Sequence, residues 1–285
     1  MSRKNFLKPS DKILKLNELN KITGRLESTS QMPLLFVGHG NPINAITENE
    51  FTKGWQKIGK SLPKPNAILC ISAHWETDGT FVTAMEKPRT IHDFYGFPKE
   101  LYEAKYPAAG SPELAEETRE TVKKTPVGLD QNWGLDHGCW AVLKHMFPKA
   151  DVPIVEMSLD RYKNTLWHYE LAGELSALRK KGVLIVGSGN IVHNLGMMDW
   201  HIEEGFGWAA QANEKIKKLV AENEHRQLIK YESLGKEMQL AVPTPEHYLP
   251  LLYVMGLKEK NESTSFFNDK TVLGSVSMTS IKVGK

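Results

Sequence analysis

Four short apolar runs constrain this chain more than anything else in it: "PLLFVGHG" (33–40), "NAILCISAH" (66–74), "VPIVEMSL" (152–159) and "GVLIVGSGN" (182–190). Rich in Val, Ile and Leu and bounded by Gly, Pro or Asn, they read as buried strands feeding polar loops. Helical patterns lie between and after them. "SPELAEETRETVKK" opens with Ser111 as a cap, Pro112 at the first helical position and acidic residues in the first turn. "NTLWHYELAGELSALRKKG" closes on basic residues and Gly182. "WAAQANEKIKKLVAENEHRQLIKY" predicts a long helix and "EHYLPLLYVMG" a shorter one. Strands alternating with helices predict a single α/β domain, with a mostly parallel central sheet and helices on both faces. The last 15 residues, "TVLGSVSMTSIKVGK", predict a terminal strand of period-two alternation. No repeat or linker interrupts residues 32–285, which form one predicted domain. Residues 1–31 start "MSRKNFLK" and stay charged, without an apolar centre, so they read as a basic N-terminal extension.

Composition removes whole classes of function. The 36 basic residues nearly balance the 34 acidic ones, for a net charge of +2. That is no electrostatic footprint for nucleic acid or an anionic membrane. No apolar run approaches the ~20 residues of a membrane-spanning helix. The two cysteines, Cys70 and Cys139, make neither a metal-type pair nor a disulfide framework, and this usage predicts a reducing, cytoplasmic setting.

The histidines carry the chemistry. His39 stands between two glycines after the first apolar run, His74 closes the second, and His193 follows the fourth in "GSGNIVHN". In a parallel sheet these three emerge at one carboxyl edge, where open α/β folds place ligands. His247, in "PTPEHYLP", is expected at the start of a helix pinned by Pro243 and Pro245, beside Glu246; His137 falls in a loop, "WGLDHGCW". Converging neutral imidazoles near a carboxylate suit a divalent first-row metal. The long separations exclude a zinc-finger type of site. No H-E-x-x-H, G-x-S-x-G, P-loop or G-x-G-x-x-G motif is present. His145, His168, His201 and His225 read as packing or surface residues, and His92 as a pocket gate alongside Phe94 and Tyr95. For any one of these histidines a satisfied structural role is the simpler reading; the set as a whole favours a metal.

"LFVGHGNPINAI", "CISAHWE", "IHDFYGFP", "LYEAKYPAAG", "LDHGCW", "GSGNIVHN" and "PTPEHYLPLLY" resemble, in order, the 4,5-DOPA extradiol dioxygenase family. These are class III ring-cleaving enzymes related to the β subunit of protocatechuate 4,5-dioxygenase. The similarity runs from about Met32 to the C-terminus. It implies a metal held at His39 and His74, with a further ligand from "TPEHYLP": His247 by the family pattern, with Glu246 as competitor. His193 matches a ligand in zinc-loaded relatives and an acid–base histidine in the wider superfamily, and both roles stay open. His137 matches a histidine that contacts the substrate hydroxyl, so His137 and His193 are the predicted catalytic pair. Asn41, Asn190 and Asn194 could orient oxygen species, and Trp75, Trp140, Phe94 and Tyr248 could wall the ring; of these Asn41, Trp75, Asn190 and Tyr248 are the predicted substrate contacts.

The leading expectation is cleavage of L-DOPA or a similar catechol by O2, with Fe(II) for turnover and Zn(II) occupying the same nitrogen-rich site in isolated protein. Imidazole can both take a catechol proton and assist O–O cleavage, because its pKa of ~6.5 lies near working pH. The alternative is a zinc-dependent hydrolase using the same pocket. A non-catalytic metal or aromatic binder is the third reading. All the motifs lie on one chain, which predicts a monomer or weak homo-oligomer.

Overall fold

The computed structural model describes residues 29–285; apart from residues 29–31, the N-terminal extension lies outside them. One eight-stranded sheet forms the centre, from β1 (Leu34–Gly38), β2 (Ala67–Thr77), β3 (Thr80–Thr83), β4 (Val127–Asp130), β5 (Ile154–Asp160), β6 (Val183–Gly189), β7 (Thr264–Phe267) and β10 (Ser280–Val283). Its order is β4-β3-β5-β2-β6-β1-β10-β7. The four middle strands, β5, β2, β6 and β1, run parallel, while β3, β10 and β7 add antiparallel pairings toward the edges. A two-stranded hairpin, β8 (Thr271–Val272) with β9 (Val276–Ser277), stands apart from the sheet. The chain is therefore a single α/β domain with a mixed, mostly parallel sheet.

Helices cover both faces because successive side chains on a strand point to opposite sides. Leu34 and Phe36 enter one core with the helices Thr165–Glu174, Gly207–Ala221 and Leu249–Leu257. Leu35 and Val37 enter the other, with Trp55 of helix Glu50–Ser61 and Trp140 of helix His137–Met146. Every residue of β1, β5 and β6 is buried, which explains why these strands show no polar alternation.

Three sequence expectations change. His137 is the first residue of a helix capped by Asp136, whose carboxylate accepts from the Cys139 amide at 3.1 Å. Nearly all of that helix is buried, so it lacks the amphipathic period that would reveal it. The long predicted helix ends at Ala221, and a short helix His225–Ile229 follows a residue in left-handed conformation, Asn223. The predicted terminal strand is a hairpin followed by β10, the hairpin turning at Leu273 and Gly274, both with positive φ.

Candidate metal centre

The parallel middle of the sheet brings the histidines together at its carboxyl edge. His39 is the residue after β1, and its amide donates to the Gly189 carbonyl at the end of β6, 3.2 Å away. Gly40 leaves with φ +59°, a region that favours glycine, and a Cβ there would strike Met278 Sδ. His74 lies within β2, not after it. The register against β5 slips between Ile71 and Glu76, and such a bulge bends the strand and re-aims its side chains. His247 sits in a turn just before helix Leu249–Leu257, and its carbonyl accepts from the Asn190 amide beyond β6 at 2.8 Å. Only a glycine at 189 permits this approach, because a Cβ would lie 2.2 Å from that carbonyl oxygen.

His39, His74 and His247 surround one point. Their ring centroids are 4.9, 5.0 and 5.3 Å apart, and one ring nitrogen of each lies within 4.8 Å of the others. Each ring turns Nε2 inward because Nδ1 is engaged elsewhere. The Ser188 hydroxyl donates its proton to the Gly138 carbonyl and accepts from His39 Nδ1–H at 3.0 Å. His247 Nδ1–H donates to Glu246 Oε1 at 3.1 Å, and His74 Nδ1 faces Asp93 Oδ2 at 3.5 Å. His39 Nε2 and His74 Nε2 consequently meet, lone pair to lone pair, 3.1 Å apart, and His247 Nε2 is buried without a partner. Nitrogens about 2.1 Å from a common ion lie about 3.0–3.4 Å apart at right to tetrahedral angles, and the 3.1 Å between His39 and His74 matches this, with His247 within reach of the same centre. Burial, then the neighbouring imidazoles, hold His39 and His247 well below the ordinary histidine pKa; burial and His137 do the same to His74, against the pull of Asp93. Uncharged imidazoles are what a metal needs.

His137 and His193 flank this trio. Asp93 Oδ1 accepts from the His137 amide and Oδ2 from its Nδ1–H, both at 2.9 Å, so Nε2 is the nitrogen left to face the cleft. Burial opposes ionisation of Asp93, but the His137 hydrogen bond and the nearby His137 and His74 outweigh it and hold the carboxyl at about 2. His193 stacks on His247 with centroids 3.4 Å apart and planes 10° apart, and groups with Glu246 and His247 rather than with His39 and His74. Burial, then His137, pushes its pKa down to about 4.

All five histidines open into a cleft of about 1510 Å³. Asn41, Phe94 and Tyr95 line it. Trp75, Asn190, Tyr248 and Trp140 do not, and each is held elsewhere by its own packing. Trp75 stacks on Trp133 at 5.6 Å, and Asn190 donates to the Ser277 carbonyl at 2.7 Å. The Tyr248 hydroxyl donates to the Leu228 carbonyl and the Trp140 indole to Ile91. Asn194 donates to Leu240, and His92 bonds the Ala104 carbonyl instead of gating the cleft. Asp93 is the residue that sequence reading missed. It stands inside "IHDFYGFP", but nothing local says that it reaches His137, far along the chain.

The family profile described as catalytic LigB subunit of aromatic ring-opening dioxygenase matches residues 30–280. A protein named 4,5-DOPA dioxygenase extradiol from Escherichia coli K12 is 47% identical over 263 residues, covering 90% of this chain and 96% of that protein. One of the same name from Beta vulgaris is 36% identical over 255 residues, covering 87% and 94%. The crystal structure of an uncharacterized Escherichia coli K12 protein superposes with a TM-score of 0.78 and 42% identity, over 89% of this chain and 100% of that one.

Proposed function

The chain belongs to the LigB family of class III extradiol dioxygenases, related to the 4,5-DOPA dioxygenases, and from that premise we propose that it opens the ring of L-DOPA or a similarly substituted catechol at Fe(II) held by His39, His74 and His247. It is an aromatic-ring-opening dioxygenase, and its family chemistry is extradiol cleavage at a non-haem metal site. The observation that carries the specific reading is the meeting of three inward Nε2 atoms beside the Asp93–His137 pair, at the inner end of one cleft.

His39, His74 and His247 would hold Fe(II), which would supply the redox-active centre that chemistry between a catechol and O2 needs; d¹⁰ Zn(II) would not supply it, although the nitrogen donors suit zinc equally. The remaining roles belong to the protein. His137 Nε2 removes a catechol hydroxyl proton, and Asp93 fixes the ring in the tautomer that can accept it. His193, beside His247, is the second proton carrier and returns a proton to oxygen as the ring opens. Glu246 acts through His247, fixing its orientation as an outer-shell carboxylate commonly does for a ligating histidine. Asn41 faces the catechol from the cleft wall. The catalytic unit in this reading is residues 32–285 of a single chain, since every group named lies within it.

Anaerobic loading with Fe(II), then addition of a catechol panel and air, should consume O2 in proportion to substrate and generate a yellow semialdehyde. Metal analysis of the isolated protein should find zinc. No oxygen uptake across the panel would remove the dioxygenase reading for this chain, and turnover with Zn(II) in the absence of O2 would favour a hydrolase instead.

A further inference from the structure

The cleft is much larger than a catechol needs, and its charge is one-sided. Besides the histidines it is lined by Phe94, Tyr95, Trp200, Glu203 and Glu204, of which Tyr95, Trp200, Glu203 and Glu204 are exposed. Among the described residues, seven carboxylates line it against one lysine, Lys270, and no arginine. That lysine is already neutralised: it pairs with Glu50 at 2.7 Å, and Glu203 and Glu204 also act on it. Glu214 and Asp269 share Lys217, which does not itself line the cleft. Asp93 and Glu246 are engaged by histidines at the inner end. Glu203 and Glu204 are exposed and have no ion-pair partner within 4 Å among the described residues. Among the described residues an anionic substituent entering this space would therefore meet no unpaired lysine or arginine.

The outer space is continuous with the metal centre: the unpartnered Nε2 of His247, a residue only 6% exposed, belongs to the same cleft. Tyr95 and Trp200 stand on its rim 92% and 59% exposed, large aromatic faces that the fold does not bury. An aromatic face attracts an ammonium, and a low-dielectric cleft of one sign concentrates ions of the other.

We propose that the outer cleft selects catechols whose substituent carries an ammonium group and rejects those whose substituent carries only a carboxylate. The inference rests on the catechol reading above and deepens it. For an amino-acid catechol, the ammonium is the recognised group and the carboxylate is tolerated.

Three matched probes test it: 4-(2-aminoethyl)catechol, neutral 4-ethylcatechol and 3-(3,4-dihydroxyphenyl)propionate. Calorimetric titration of the Zn(II)-loaded protein reads binding without turnover, and the Fe(II)-loaded enzyme under air gives kcat/KM. The ammonium probe should lead and the carboxylate probe trail, by about tenfold or more between the two ends. Salt at about 1 M, where the Debye length is about 3 Å, should compress that spread. Glu203→Gln with Glu204→Gln should also compress it, as a ratio of the two charged probes. Equal binding of the two charged probes, or a carboxylate preference, overturns the proposal. Ordered binding without oxygen uptake would instead count against the dioxygenase reading and leave the charge selection standing.

Discussion

The tautomers of four histidines decide what this site can do, and neighbouring groups set them. His39, His74 and His247 each have Nδ1 occupied or faced by a hydroxyl or carboxylate, so their Nε2 atoms are free to hold a cation. His137 also has Nδ1 tied, but to Asp93, and stands outside the trio that shares one centre. His137→Gln should leave metal content unchanged and lower turnover about 10²–10⁴-fold, as loss of a general base does. His247→Ala should empty the site, and elemental analysis beside the oxygen-electrode rate separates the two. Asp93→Asn should cost about 10–100-fold in turnover, the usual scale for an orienting partner. His193→Gln discriminates its two roles: retained metal with lost turnover supports proton transfer, whereas lost metal makes it a ligand. The sequence contained all five histidines in recognisable settings. Apart from Glu246, next to His247, it did not reveal their partners, because Ser188 and Asp93 reach His39, His74 and His137 only through the folded sheet.

Among the elements, β6 and the turn before helix Leu249–Leu257 are the closest fitted. The Gly189 backbone lies against the His247 carbonyl with no room for a methyl group. Gly189→Ala should push the 243–248 turn outward, with an overpacking cost of about 1–3 kcal/mol and a loss of metal larger than that stability change alone explains. Circular dichroism melting with metal stoichiometry checks it; a variant that binds metal like the parent would mean the turn can shift without moving His247. The buried parallel strands were legible because short apolar runs bounded by Gly, Pro or Asn have few other uses. Helix Pro112–Thr121 was legible from its cap, and the Ser111 hydroxyl indeed accepts from the Leu114 amide at 3.1 Å. β3 and β4 were not, being four residues each with little pattern to detect. Helix Glu50–Ser61 was also overlooked, although Asn49 and Thr52 form the reciprocal capping box that announces it.

The molecule as a whole is held by two cores on either side of the sheet, and a histidine lies deep in the first. His168 is fully buried, with Nδ1 accepting from the Tyr253 hydroxyl at 3.0 Å and Nε2 donating to the Asp160 carbonyl at 3.2 Å. Burial pushes its folded pKa down to about 4 from 6.5. The unfolded chain therefore takes up the proton first as pH falls. The native state is unaffected above about pH 6.5 and loses stability progressively between 6.5 and about 4, by about 3 kcal/mol in all. Urea unfolding from pH 7.5 to 4 should show that loss in the parent and a smaller one in His168→Gln; equal slopes would mean that His168 contributes nothing to acid sensitivity. Reading the chain alone, His168 was a packing or surface residue, indistinguishable in local pattern from His201, which is exposed. Local order of residues was enough to specify the buried strands and the sheet class, which follow from periodicity and short-range backbone preference, and it carried the motifs that resemble the family and the histidines that meet at the cleft. Which nitrogen each ring presents, which aromatic side chains reach the cleft and what charge surrounds a substrate came from long-range packing. Those properties depend on distances between segments far apart in the chain, and no local pattern of residues encodes such distances.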